Sequence, residues 1–246
     1  MLVSGSVSES STVWVRRGEW TTLQGMWRTS QLLSRAGVPH GFGAADQGDV
    51  RDAELPPRIA VARQVHGCEV AKPAVAGRLT VEADVLLAGV PLGVGVVTAD
   101  CVPILMADPV AQLAAAVHAG WRGTLKGIVS QAVRALVLEG ADPRRLLVTI
   151  GPCIRPCCYE VSEDLLGEFA KAFGPTVQRP GSRLDLALAN REHLTSLGIP
   201  PSNVDDLGEC TRCARKGDMY AYFSHRRSGA AAGRQLSWVR APGLVS

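Results

Sequence analysis

Three apolar runs lie almost back to back in the middle of the chain, "LGVGVVTAD" (92–100), "CVPILMAD" (101–108) and "LAAAVH" (113–118). Each is short and rich in β-branched or small residues, and the only breaks are Pro103 and the turn-forming "DPVAQ" (108–112). Runs of this length without helical periodicity read as buried strands, and the turn between the last two predicts a hairpin of inner strands. A hairpin with so little polar surface needs cover, so the rest of the chain must supply it.

The cover is visible downstream. "TLKGIVSQAVRALVLEG" repeats apolar residues on one helical face and ends at Gly140, with Thr124 as the expected N-cap. "SEDLLGEFAKAF" (162–173) opens on Ser162 and two acids, a helix start, and "LDLALANREHLTSLG" (184–198) is a third helix closed by Gly198 and two prolines. "RLLVTIG" (145–151), "DMYAYFS" (218–224) and "RQLSWVR" (234–240) read as further strands. The pattern predicts an α+β fold with a mixed β-sheet flanked by helices. Residues 1–27, Ser-rich and then Trp-rich, read as an N-terminal extension or edge segment, and 28–246 as a single domain.

With 246 residues, 46% of them hydrophobic, the chain buries a core without needing disulfides or metal to fold. A net charge of +3 with no long Lys/Arg run argues against nucleic acid as a partner, and no segment reads as a membrane span. The N-terminus lacks the pattern of a signal peptide, and seven cysteines, an odd number, suit a reduced compartment. A cytoplasmic protein, monomeric or a small homo-oligomer, is the expectation.

Chemistry concentrates at the ends of the apolar runs. His118 closes one, Cys101 follows Asp100 at the junction of two others, and His66 lies in "RQVHGCEV". Two imidazoles and a thiolate suit an open three-ligand zinc site. The same residues also suit a Cys–His–Asp nucleophile, or simply a packed core, and spacing alone leaves these open. After His118 comes "AGWRGT". Gly120 and Gly123 let the chain turn into the helix expected from Thr124, Arg122 offers a planar cation for phosphate, and Trp121 a flat face for a ring. Here too an aromatic plug and a paired arginine explain the residues equally. "CTRC" (210–213) is a CxxC pair without a matching second pair, a redox or metal element or, by default, an accidental pair, and "YFSHRR" (222–227) is an extra basic clamp or, by default, a solvated strand end.

Taken in order, "QVHG" (64–67), "TADCVPIL" (98–105), "AAVHAGWRGT" (115–124), "IGPCI" with "CYEV" (150–161), "NR" (190–191), "CT" (210–211) and "FSHRR" (223–227) resemble the YfiH family of laccase-domain proteins. The resemblance runs from about residue 39 to 239. It implies a single three-layer α/β/α domain and a metal, usually zinc and alternatively copper, held by His66, Cys101 and His118. It also implies phosphorolysis of adenosine, inosine or methylthioadenosine, with adenosine deaminase activity. The alternatives attached to the family are copper-dependent polyphenol oxidation and editing of peptidoglycan precursors. On this reading Cys101, His118 and Asp100 serve catalysis, Asp100 as proton shuttle. Gly120, Trp121, Arg122 and Gly123 bind nucleoside and phosphate. One departure stands out: where the family carries an arginine in a Gly-Gly-Val-Ser segment, this chain reads "GAADQGDVRD", leaving Arg51 as the displaced substitute.

Overall fold

The computed structural model describes residues 27–243, so the segment expected as an N-terminal extension lies outside the described residues apart from Trp27. In chain order, α1 (Gln31–Arg35) precedes β1 (His40–Phe42), β2 (Ile59–Arg63), β3 (Val70–Ala71), β4 (Gly77–Glu82) and β5 (Val85–Gly89). The apolar runs form β6 (Gly93–Thr98), β7 (Val102–Asp108) and β8 (Leu113–Ala119), followed by helices α2 (Trp121–Leu125) and α3 (Ile128–Leu138). Then come β9 (Leu147–Ile150), α4 (Glu163–Phe173), β10 (Gln178–Arg179), β11 (Arg183–Leu184), α5 (Leu186–Ser196) and β12 (Val204–Asp206). The chain closes with β13 (Arg215–Lys216), β14 (Met219–Tyr220), α6 (His225–Ser228) and β15 (Gln235–Arg240).

Two mixed sheets carry the fold. One has the order β12-β9-β7-β8-β5-β3 and the other β1-β15-β6-β2-β4; β10–β11 and β13–β14 are small separate hairpins. The expected inner hairpin is β7–β8, paired antiparallel from Val102↔Ala119 to Asp108↔Leu113. Alternation along these strands explains the layers, because successive side chains point to opposite faces. Ile104, Met106, Ala115 and Val117 pack with Ile128, Leu136, Phe169 and Leu194 of the helices. Leu105, Ala107, Ala114 and Ala116 pack instead with Val94, Val96 and Val239 of the second sheet. All seven residues of β8 are buried. Truncating Ile104 or Leu105 to Ala in such a core costs about 2–5 kcal/mol.

The α+β class with mixed sheets is as the sequence reads, but the layers run sheet, sheet, helix. Where the resemblance implies a second helical layer, the five-stranded sheet covers the inner hairpin. Two local expectations are also corrected. The helix expected from Thr124 is two helices, because Gly127 adopts φ 78 between them. Gly120, not Thr124, stands at the N-cap of the first, and the buried Thr124 hydroxyl accepts a 3.0 Å hydrogen bond from the Asn190 amide, tying α2 to α5. The strand expected at 218–224 is only the two residues of β14, after which Ser224 caps α6. Ser162 caps α4 as read, its hydroxyl accepting from the Leu165 N–H.

Candidate functional site

His66, Cys101 and His118 converge: one donor atom of each lies within 4.8 Å of the other two. Only His118 sits within a strand. Cys101 occupies the tight turn from β6 to β7, entered through Asp100 at φ 91, and His66 lies past the end of β2 at φ 58. Positive φ is uncommon for these residue types, so both turns need external support.

Asp84, which sequence reasoning missed, supplies it for His66. Its carboxylate is fully buried and accepts the backbone N–H groups of Val65 (3.2 Å), His66 (3.0 Å) and Gly67 (2.8 Å). The same carboxylate accepts His118 Nδ1–H at 2.7 Å, leaving Nε2 as that ring's remaining donor atom. One carboxylate thus orients the His118 imidazole, as such partners do in metal-binding histidines, and holds the backbone of the loop that carries His66. Burial opposes ionisation of Asp84, but the His118 bond and the Gly67 and Val65 N–H groups outweigh it and hold its pKa below the usual range. Burial likewise pushes the Cys101 thiol up, yet the His118 charge and hydrogen bonds from both histidines bring it well below an ordinary thiol. His118 is raised in turn: burial lowers it, but the Cys101 and Asp84 charges and hydrogen bonds prevail. The direction for Cys101 favours its thiolate, the form that binds metal.

These donors fit a borderline-soft divalent ion. Room for it is kept by Gly120, where a Cβ would meet His66 Cδ2 at 3.1 Å and Cys101 Sγ at 3.2 Å. Gly120 is needed for space and not for a hinge, since its φ of −74 is open to any residue.

The trio opens into a cleft of about 850 Å³, within the usual size range for small-molecule sites. Six arginines line it, Arg51, Arg63, Arg78, Arg122, Arg226 and Arg234, with one lining carboxylate, Asp100; Arg51 and Arg63 are paired with Asp49 and Glu82. Arg122 is exposed, stacks 4.4 Å from the Trp121 ring and makes no ion pair found among the described residues. Trp121 and Tyr159 provide flat apolar walls. Arg51 does reach this wall, held by Asp49 at 2.5 Å, so the displaced arginine of the sequence stands in the cleft.

Three expectations change. Gly123 does not line the cleft; its missing Cβ lets Gly67 O and Ile128 approach. Both oxygens of Asp100 are engaged, Oδ1 by the Thr211 hydroxyl and Oδ2 by the Arg226 N–H, each at 2.6 Å. That geometry serves to position the turn rather than to carry a proton. "YFSHRR" is not a solvated strand end, since His225 and Arg226 from α6 line the cleft. Nothing in the sequence pattern marks Asp84, Arg78 or Arg234, and Tyr159, though within "CYEV", was not singled out; they come from segments that only the folded sheets bring to one place.

Fold and cleft together define a class: α+β proteins in which one sheet-borne histidine, one turn cysteine and one loop histidine meet in an arginine-lined pocket. Residues 47–241 match the family described as multi-copper polyphenol oxidoreductase laccase, and the chain belongs to it. Among its relatives, purine nucleoside phosphorylase of Deinococcus radiodurans is 39% identical over 185 residues, covering 73% of this chain and 68% of that protein. Adenosine deaminase RL5, from an unknown prokaryotic organism, is 35% identical over 153 residues, covering 59% of this chain and 57% of that protein. The crystal structure of YlmD from Geobacillus stearothermophilus superposes with a TM-score of 0.72 at 25% identity, over 89% of this chain and 99% of YlmD. No described helix is long and apolar enough to cross a membrane.

Proposed function

We propose that this chain is a metal-dependent purine nucleoside phosphorylase with a slower adenosine deaminase activity. The observation that carries the reading is the cleft itself, in which six arginines and two aromatic walls surround the His66, Cys101 and His118 donors. A bound purine nucleoside and a phosphate together need a flat slot and a strongly cationic surface, and the cleft offers both.

His66, Cys101 and His118 would hold zinc, and zinc bound there would supply Lewis acidity. Arg122 and its neighbours bind phosphate by charge-assisted, fork-shaped hydrogen bonds and orient it toward the ribose. A phosphate oxygen forms a bond to ribose C1′ as the bond from C1′ to the base breaks. The base leaves with that electron pair and takes up the proton that the attacking hydrogen phosphate gives up. Trp121 and Tyr159 flank the departing base, and Asp100 holds the turn of Cys101 and the start of α6 in place. In the deaminase reaction water adds at C6 of the adenine ring instead, and the exocyclic amino group leaves as ammonia, giving inosine.

Two imidazoles and a thiolate are also a donor set that copper uses, which favours phenol oxidation as the second reading. Electron transfer among several coppers needs more ligands than five histidines provide. His40, for one, spends both ring nitrogens on Ser30 N–H and Val38 O.

Incubating the zinc-loaded protein with adenosine, with and without phosphate, tests the assignment. Adenine and ribose 1-phosphate should form only when phosphate is present. Protein inert toward every purine nucleoside, yet oxidising phenols when loaded with copper, would promote the second reading.

A further inference from the structure

A second sulfur-rich cluster lies outside the donor trio and has no part in the reaction above. Donor atoms of Cys157, Cys158, Cys210 and Cys213 all lie within 4.8 Å of one another. In the sequence, 210–213 is a CxxC pair with no matching pair. The fold supplies one without that spacing, the adjacent cysteines 157 and 158 of the loop that follows β9. Backbone pairing brings the two loops together. Cys153 N–H donates to Glu209 O at 3.3 Å and Thr211 N–H to Cys153 O at 3.0 Å, making a parallel bridge between Cys153 and Cys210.

The geometry is that of ligands rather than of a disulfide. Cys157 and Cys213 Sγ atoms are 3.7 Å apart. Four thiolates at about 2.3 Å around a tetrahedral zinc have sulfur–sulfur edges of about 3.8 Å. A disulfide would need about 2.05 Å. The two loops that bring the sulfurs together also carry two cations beside them, Arg155 two residues before Cys157 and Arg212 between Cys210 and Cys213.

We propose that Cys157, Cys158, Cys210 and Cys213 form a second metal site, a closed four-thiolate site for zinc that staples the loop at 151–161 to the loop at 207–214. The staple is structural, since four protein ligands leave no position for substrate. What it steadies is one wall of the cleft. Tyr159 follows Cys158 directly, and Thr211, between Cys210 and Cys213, donates its hydroxyl to Asp100. Arg227 joins α6 to the same loop through the carbonyls of Thr211 (3.1 Å) and Arg212 (2.8 Å). This inference is independent of the nucleoside reading and survives its failure.

Metal analysis and X-ray absorption on full-length protein test the proposal. Cys101→Ala, made to remove the cleft thiolate, should retain a zinc whose absorption fine structure is fitted by four sulfurs at about 2.3 Å. Cobalt substituted into the same variant should give the intense sulfur-to-metal charge-transfer band of a tetrahedral thiolate site. Cys210→Ser/Cys213→Ser should lose one zinc equivalent relative to wild type. Should that variant fail to fold, the spectra of Cys101→Ala still decide the matter. Three results overturn the proposal: a zinc-free Cys101→Ala protein, a metal shell dominated by nitrogen or oxygen, or a wild-type mass showing two of these cysteines joined as a disulfide.

Discussion

The two donor clusters make opposite use of similar chemistry. His66, Cys101 and His118 come from three segments, offer three mixed donors and face a cleft of about 850 Å³. Cys157, Cys158, Cys210 and Cys213 come from two loops, offer four sulfurs and face one another. Their supports differ as well. A buried carboxylate holds His118 and the His66 loop, whereas the four sulfurs are brought together by backbone pairing of their two loops at Cys153 and Cys210. The contrast teaches that ligand number and supporting shell, rather than the presence of cysteine, separate a site that reacts from one that fastens.

The comparison breaks most sharply at Cys101. Cys101→Ala should reduce nucleoside turnover to background while leaving the four-cysteine zinc in place, measured by product assay and metal analysis on the same folded sample. Undiminished turnover in a folded variant without cleft metal would remove the metal from the chemistry.

Asp84→Asn comes next. An amide cannot accept all the N–H bonds that the carboxylate takes, and it leaves His118 Nδ1–H poorly matched. Zinc affinity of the cleft site or turnover should fall about 10–100-fold. The check is a zinc titration against a competing chelator, and an unchanged affinity would assign Asp84 to the fold alone.

Arg122→Ala should raise KM for phosphate about 10–100-fold with a smaller change in kcat, in line with about 1.5–3 kcal/mol for a hydrogen bond to a charged group. Because Arg122 is exposed, stability should change by no more than about 0.5 kcal/mol in a denaturant titration. Thr211→Val tests the link between the two clusters. It removes the hydroxyl from Asp100 and should lower kcat/KM several-fold, about 1 kcal/mol, without changing zinc content.

The smallest effect concerns His40, a histidine with both nitrogens already spent. Burial holds it neutral and lowers its pKa below the ordinary value, against the opposing pull of the Val38 carbonyl and Asp205. The unfolded chain therefore takes up the proton first as pH falls. The His40 contribution to stability is complete above about pH 6.5 and declines below it. Denaturation midpoints of wild type should drop through that window more steeply than those of His40→Gln, and parallel curves would show that His40 does not titrate there.

Much of this was legible in the sequence, though unevenly. The inner hairpin β7–β8 reads directly from runs without a polar face, and α4 from Ser162 and its acids. His66, Cys101 and His118 draw attention through motifs, but their meeting depends on two strained turns that no spacing rule predicts. Asp84 was hidden because a carboxylate just ahead of a buried strand resembles solvated surface. The helix break at Gly127 was hidden because one glycine is tolerated in a helical pattern. Cys210 and Cys213 were visible as a pair. Their partners were not, since adjacent cysteines match no familiar ligand spacing until the loops pair. The five-stranded sheet joins β1, β2, β4, β6 and β15 from distant parts of the chain, information that local periodicity does not hold.

The placement of His118 on β8 has a further consequence for how the cleft ion leaves. Every residue of that strand is buried between the second sheet and the helices, and His118 itself is 3% exposed, so this part of the chain opens only in global unfolding. His66 sits on an exposed loop whose tether is the cluster of N–H bonds to Asp84. An ion held by the three donors would therefore have one foot in the slowest-moving part of the molecule and one in a part able to open locally. Its release to a chelator should proceed by detachment of His66 first, at a rate set by loop opening and far faster than the unfolding rate of the protein. Evolution or an engineer could thus tune metal lifetime by editing the loop at 64–67 without disturbing the core that holds the other end.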